Sequence, residues 1–368
     1  AGLLIDLGNS ETRMTLLVGD KERSTILSNR FAALPPSYRV PEEYNNSKTS
    51  ILEYKGTYYA NARLAEREFV GQLIRPYAVE YKTDQIVTEI SLNLVFLHAL
   101  IQLSEAYATP IDNLEVTFDV SVLLPPLEHD TQNEKMEQMV RSITKVKSIL
   151  PFQVERSFEI GEVKVLPEGV AAYFAVIFKE AFGALVEVEE NKEFQEGYVM
   201  ILDIGAGTTD VVLIKDTELL LNSKESFKRG GNTVESNLIA EINRKYKFKP
   251  QDIKRVINTG LLAEGGVVHD ISDLLTEAKV KYTRILLPEL STYLERMSIS
   301  LKEVKGILLA GGGSLPTIRD GVVVSNAMSK VLLEELQNKA PNTKIVSTLE
   351  LDPRYLNITG LKYIHKYA

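Results

Sequence analysis

Two short stretches hold residues whose types and spacing suit phosphate and metal chemistry. In the run Ile201 to Leu213, an apolar segment ends at Asp203. A Gly205-Ala206-Gly207-Thr208-Thr209 turn follows, and Asp210 opens a second apolar segment. The pattern predicts a β-hairpin with a glycine-rich bend. Gly205 and Gly207 let backbone N–H groups approach a bound anion, and Thr208 and Thr209 add hydroxyl donors. Asp203, at a strand end, suits a hydrated divalent cation beside that anion.

The same layout stands near the N-terminus: an apolar strand, Asp6, Leu7, then the small polar turn Gly8-Asn9-Ser10, then a strand carrying Arg13. One such hairpin would suit an ordinary tight turn. Two of them imply similar half-domains facing one another, their turns clamping a nucleotide polyphosphate and its Mg²⁺. Alternation puts Arg13 on the face of the turn, where it either reaches a phosphate or is a solvated strand arginine.

Further candidates lie outside the hairpins. Ile307 to Ala310 is an apolar strand ending in Gly311, Gly312 and Gly313, with a helix expected from near Pro316. Backbone free of side chains would let a flat ring or sugar lie against it, and a helix start favours anions. Glu168, in Leu166-Pro167-Glu168-Gly169, is a carboxylate at a helix start. It either makes a charge–dipole contact or orients an attacking water. Gly230-Gly231-Asn232 precedes another helix, with Asn232 and Glu235 at capping-box positions; it is a rest for ribose or phosphate, or plain capping. Lys279 and Lys281 are expected to face solvent, and His98, His129, His269 and His365 lack metal-ligand spacing.

The elements that must position these residues follow from periodicity and breakers. Hairpins fill residues 3–31, with a turn at Gly19-Asp20. Strands and loops occupy 35–81, broken by Pro35-Pro36, Pro41 and Asn45-Asn46-Ser47. A helix is expected from Thr83 to Ala108, a strand from Leu114 to Leu124 and a helix from Asn133 to Lys147. A strand pair around Gly161 follows, then a helix from Glu168 to Phe182 closed by Gly183, and an acidic loop from Val186 to Glu196. Later helices are expected at 233–246, 250–258 and 270–300 with breaks at Gly265-Gly266 and Pro288. A helix at 323–338, a strand from Lys344 to Ser347 and a last, weakly basic helix close the chain.

The chain has 368 residues, a formal charge of −8, 44% apolar residues and no cysteine. Two domains are expected, without disulfides or thiol chemistry. The charge argues against a nucleic-acid-coating surface. No membrane-spanning run is expected, and a strand at the very start leaves no place for a signal peptide, so the expected location is cytoplasmic.

The three turns, in this order, resemble the actin, heat-shock-chaperone and sugar-kinase ATPase superfamily, and most of all the plasmid actin-like proteins of the ParM type. Asp203 to Asp210, the Leu166-Pro167-Glu168-Gly169 junction and Asn357-Ile358-Thr359-Gly360-Leu361 carry the likeness. The resemblance implies an α/β actin-like fold of two ribonuclease-H-like domains, each a mixed sheet flanked by helices, with a nucleotide cleft between them. Domain I would be 1–167 with 345–368 and a small insert at about 32–82. Domain II would be 168–344 with a helical insert at about 228–300.

By the same resemblance, Asp6 and Asp203 would hold Mg²⁺ through water. Gly8, Asn9, Ser10 and Arg13 would contact phosphates from one side, and Gly205, Ala206, Gly207, Thr208 and Thr209 from the other. Glu168 would place the hydrolytic water with Asp203 and Asp210 nearby, and Gly311, Gly312 and Gly313 would lie against the adenosine. Arg13 stands where relatives commonly have Lys. The implied function is an ATPase, with GTP as the alternative nucleotide, that polymerises with itself and moves plasmid or other DNA through a DNA-binding adaptor. It would contact neither nucleic acid nor membrane directly. A small-molecule kinase would need a sugar pocket with a catalytic carboxylate in the second half of the cleft, for which the sequence offers no convincing candidate. A scaffold that binds nucleotide without turnover is the remaining alternative.

Overall fold

The computed structural model describes all residues except 45–48, 77–80, 221, 249, 251, 337–338, 347–351 and 368. The expected Asn45-Asn46-Ser47 break, the strand end at Ser347 and the helix end at Asn338 lie outside the described residues. The chain divides into two compact units, 1–168 with 361–368, and 169–360.

The first unit is built on a sheet that begins with β1 (Gly2–Leu7), β2 (Glu11–Val18) and β3 (Lys21–Ser28). It continues through β4 (Phe31–Ala33), β5 (Ile51–Tyr54), β6 (Thr57–Asn61), α1 (Ala62–Glu68), α2 (Ile86–Tyr107), β7 (Thr117–Leu124) and α3 (Pro126–Ser142). β8 (Lys145–Leu150), β9 (Val154–Ser157) and β10 (Glu159–Pro167) complete it. The main sheet runs β10-β7-β1-β2-β3. β1 pairs antiparallel with β2 and parallel with β7, so it is central, which explains its unbroken apolar run. β3, at the edge, carries Lys21, Glu22 and Arg23.

α2 is mostly apolar and packs as the core helix of this unit, its Phe96 ring against those of Phe118 and Phe158, while Glu89 and Glu105 pair with Lys55 and Arg23. By length and hydropathy it could cross a membrane, contrary to the expectation that no run would, but 72% of the qualifying window is buried in the unit.

Several expected boundaries shift. The small insert does not close on itself: its sheet runs β4-β6-β5-β8-β9 and borrows β8 and β9 from residues 145–157. Strand pairing to β5 therefore ends the charged helix at Ser142 instead of Lys147. Gly161 is not a hairpin turn but a register shift inside β10. A Cβ there would meet the Thr117 methyl at 3.2 Å.

The second unit repeats the plan. It opens with α4 (Val170–Ile177), β11 (Phe178–Ala181) and β12 (Ala184–Glu187), so the expected helix to Phe182 stops early. Phe182 and Gly183, both at positive φ, form a hairpin turn instead. Then come β13 (Tyr198–Ile204), β14 (Thr209–Lys215), β15 (Glu218–Leu219), β16 (Glu225–Phe227), α5 (Gly231–Tyr246), α6 (Ile253–Thr259), β17 (Leu261–Glu264) and β18 (Val267–Asp270). The unit ends with α7 (Ser272–Arg296), β19 (Val304–Ala310), β20 (Thr317–Arg319), β21 (Val322–Ser325), α8 (Met328–Leu336), β22 (Lys344–Val346) and the start of α9 (Leu356–Tyr367).

The central sheet runs β15-β14-β13-β19-β22, with β13–β14 antiparallel and β13–β19–β22 parallel. This is the first unit's hairpin-plus-parallel-strand order again. One face packs on α5, α7 and α8, the other on α4 and Leu356.

α7 passes through Pro288 without ending. β20 and β21 replace the helix expected near Pro316, and α8 starts at Met328 rather than Val323. The insert also gathers the β17–β18 and β20–β21 hairpins, joined by Arg319 to Asp270 at 2.6 Å. Residues 345–360 were expected with the first domain. The described residues among them, 345–346 and 352–360, pack with the second unit, because β22 pairs with β19 and Pro353 accepts from the Gly311 N–H at 3.0 Å.

Gly360 of α9 lies directly against the Ala171 carbonyl of α4, leaving no space for a Cβ. Gly360→Ala should destabilise the protein by about 1–3 kcal/mol through overpacking. Thermal unfolding measures it, and an unchanged midpoint would contradict this packing.

Candidate functional site

Both duplicated hairpins end a buried strand with an aspartate. In the first unit Asp6 is paired across the hairpin with Arg13. In the second, Asp203 is paired with Asp210 at the same place. Arg13 thus stands beside the turn on the strand facing Asp6, its guanidinium 3.9 Å from the carboxylate and 3.5 Å from Glu11.

The first turn is braced from beneath. Buried Asn29 donates from its amide to the Gly8 carbonyl, and its oxygen accepts from Thr12 at 2.8 Å and Ser91 at 3.0 Å. A Cβ on Gly8 would meet the Glu11 carbonyl at 2.6 Å. Gly8, Asn9 and Ser10 remain partly exposed.

Beside this turn lies a buried charge cluster. The Lys82 ammonium donates to the Leu7 carbonyl and, at 2.8 Å, to Glu168. The Lys82 backbone N–H donates to Glu128 at 2.8 Å. Glu168 therefore turns to a lysine, so an ion pair replaces the charge–dipole reading of its position. The helix that follows is capped by Gly169 without a side-chain bond.

Three carboxylates, Asp6, Glu128 and Glu168, surround two cations, Lys82 and Arg13. Burial and the Glu168 charge push Asp6 up to about 6, against the pull of Arg13 and Lys82. Burial alone would lower Lys82, but Glu168 and its neighbours hold it above its ordinary value.

In the second unit, glycine turns converge on the end of β13. The Gly231 N–H donates to the Gly205 carbonyl at 2.9 Å, and the Asn232 N–H to the Ala206 carbonyl at 2.7 Å. The expected capping box is absent: α5 starts at Gly231, Gly230 is its cap and the Asn232 side chain is exposed. The turn itself caps this helix. A Cβ on Gly230 would meet the Gly205 and Ala206 carbonyls at 2.5 and 2.8 Å. Gly311, at φ +81, approaches the Asp203 carboxylate and the Ile204 carbonyl, and Gly313 packs on Ile204. Gly312 is exposed, with Arg354 beside it.

Asp203, Asp210, Gly205, Ala206, Gly207 and Thr208 share this locale, with Thr208 donating to Asp210 at 3.2 Å. Thr209 does not present its hydroxyl there. It is fully buried, donates to the Arg229 carbonyl at 2.8 Å and meets the Tyr282 hydroxyl of α7. Alternation along β14 sends it to the opposite sheet face from Thr208, so the expected phosphate contact by its side chain is corrected.

Sequence reasoning overlooked Asn29, Lys82 and Asn357. Asn357 donates to Asp203, and its oxygen accepts from the Gly169 N–H at 3.1 Å. It lies within the closing motif but was given no role. Lys279, expected in solvent, is buried, its ammonium 3.0 Å from the Asn326 carbonyl; burial lowers it to about 8. Lys281 instead pairs with Glu241 at 2.5 Å.

The donor set fits a hard cation such as Mg²⁺. Strand-end carboxylates offer oxygen ligands, and burial makes the Asp6 charge costly, a cost that a cation would offset. Among the described residues no group of three or more His, Cys, Asp or Glu assembles a cage. A bound Mg²⁺ would thus rely on single carboxylates, water and phosphate.

A duplicated hairpin-and-parallel-strand sheet of this kind is shared with solved actin-like structures, and the chain has an actin-like fold. Residues 201–319 match the family model described as archaeal actin homologue MreB-like, C-terminal. The archaeal actin homolog Ta0583 is similar across 100% of this chain and 99% of its own, with a TM-score of 0.72 and 16% identity. A ParM solved as a 15-stranded filament from Clostridium botulinum is similar across 100% and 99%, with a TM-score of 0.63 and 14% identity. The cell shape-determining protein Mbl of Bacillus cereus is 26% identical over 42% of this chain; the match spans about half of that relative, 52%.

The raised Asp6 sets a sign for pH. Its folded value of about 6 lies above the unfolded 3.8, so its ionisation destabilises the fold above pH 6, and the penalty is gone below 3.8. Asp6→Asn should raise the melting temperature of the nucleotide-free protein at pH 7, worth about 1–3 kcal/mol. The gain should shrink toward pH 4. A variant less stable than the parent at pH 7 would contradict it.

Proposed function

We propose that the chain binds ATP with Mg²⁺, hydrolyses it and assembles with copies of itself into filaments. The observation that carries this reading is the duplicated acidic turn, with Glu168 fixed beside the first copy. Backbone N–H groups of residues 9–10 and 206–208 would cradle phosphate oxygens, with Arg13 adding charge, while the Gly8 and Gly205 N–H groups close their own turns on the Asp6 and Thr208 carbonyls. Asp6 and Asp203 would hold the cation, which when bound neutralises phosphate charge. Asp203 is oriented for this by Asn357. The Glu168 carboxylate would orient water toward the terminal phosphate, with Asp210 nearby. Gly311, Gly312 and Gly313 would lie against the adenosine, and Gly230 permits the tight packing of α5 on the phosphate turn. GTP is the alternative nucleotide.

Two relatives support parts of this reading: Ta0583 has been solved in complex with ADP, and the ParM noted above as a filament. On the ParM side, the filament would move DNA through a DNA-binding adaptor in the cytoplasm. The MreB-like family match and the likeness to Mbl favour a second reading, a filament serving cell shape.

With Mg-ATP the protein should sediment above a critical concentration and release phosphate. Glu168→Gln should bind ATP, lose about 100-fold or more in hydrolysis and pellet persistently. A parent that neither sediments nor releases phosphate at any concentration would sink the proposal.

A further inference from the structure

Lys82 sits on a single 3-10 turn, Lys82–Asp84, that is stapled to α3 at every residue. The Lys82 N–H donates to Glu128, Thr83 donates to Gln132 at 2.8 Å, and Asp84 pairs with Lys135. From this base the side chain runs inward, and its ammonium joins the Leu7 carbonyl to the Glu168 carboxylate. Leu7 lies between Asp6 and Gly8, so one lysine links the first turn to the proposed water-orienting group.

Both side chains of the pair are 9% exposed. A carboxylate so placed is costly to bury unless it is paired and hydrogen-bonded, and Lys82 supplies both at one of its oxygens. An ammonium also has three donors, enough for the carbonyl and the carboxylate together.

We propose that Lys82 is a positioning residue for hydrolysis, holding one Glu168 oxygen at a set place beside the first turn so that the other can orient the attacking water. The inference rests on the ATPase reading above. It predicts that Lys82 acts through Glu168 and not through nucleotide affinity.

The full-length parent, Lys82→Gln, Lys82→Arg, Glu168→Gln and the Lys82→Gln/Glu168→Gln pair would be compared. Binding is read by titration with a fluorescent ATP analogue and Mg²⁺, turnover by phosphate release. Lys82→Gln should lose about 10–100-fold in kcat with KM within about threefold, and Lys82→Arg should recover part of it. The double variant should match Glu168→Gln within about twofold. Losses that multiply in the double variant, or a Lys82→Gln defect confined to KM, would overturn the proposal. A parent that releases no phosphate overturns the ATPase reading instead. If Lys82→Gln melts before assay, Lys82→Arg and the double variant, which leaves no unpaired buried charge, carry the same comparison.

Discussion

Backbone lying on backbone at the end of β13 is the constraint on which the second unit depends. Two separate turns press against Ile204, Gly205 and Ala206, and each does so with glycine: Gly230 from the start of α5, and Gly311 with Gly313 from the end of β19. Side chains would hold these segments several ångströms apart. Without them, carbonyls of the Gly205-Ala206 turn accept the first N–H groups of α5, and a helix end that would otherwise be unsatisfied is completed by the loop it supports. The turn is thereby fixed in position by the backbone that packs on it.

The two hairpins share a plan but divide the electrostatic work differently. Opposite the strand-end aspartate stands Arg13 in one unit and Asp210 in the other. The first unit concentrates buried charge of both signs, with the Asp6 carboxyl pushed above its ordinary value by burial and by Glu168. In the second, the Asn357 amide donates to Asp203 and the Thr208 hydroxyl to Asp210.

Much of this was legible in the chain because local pattern dictates it. Asp6-Leu7-Gly8 and Asp203-Ile204-Gly205 follow apolar runs whose period and turn residues leave few alternatives, and both strands proved central and buried. What could not be read depended on long-range pairing. Nothing near Lys145 announces that β8 will join β5, more than 90 residues earlier, yet that pairing ends α3. Pro288 reads as a breaker, but tertiary packing of Leu286, Leu287 and Leu290 carries α7 through it. Thr209 looked like a phosphate ligand by composition, and strand alternation alone should have sent it to the Tyr282 side. Lys82 and Asn29 carry no motif; their importance comes from what α3 and β1 bring beside them.

The long apolar stretch of α2 has a consequence for biosynthesis. β1 and β2 precede it, but Phe118, Val120, Val122 and Phe158, which complete its surroundings, follow it in the chain. A ribosome therefore exposes a greasy 22-residue segment well before its cover exists. During that interval the nascent polypeptide is open to aggregation and invites capture by holding chaperones.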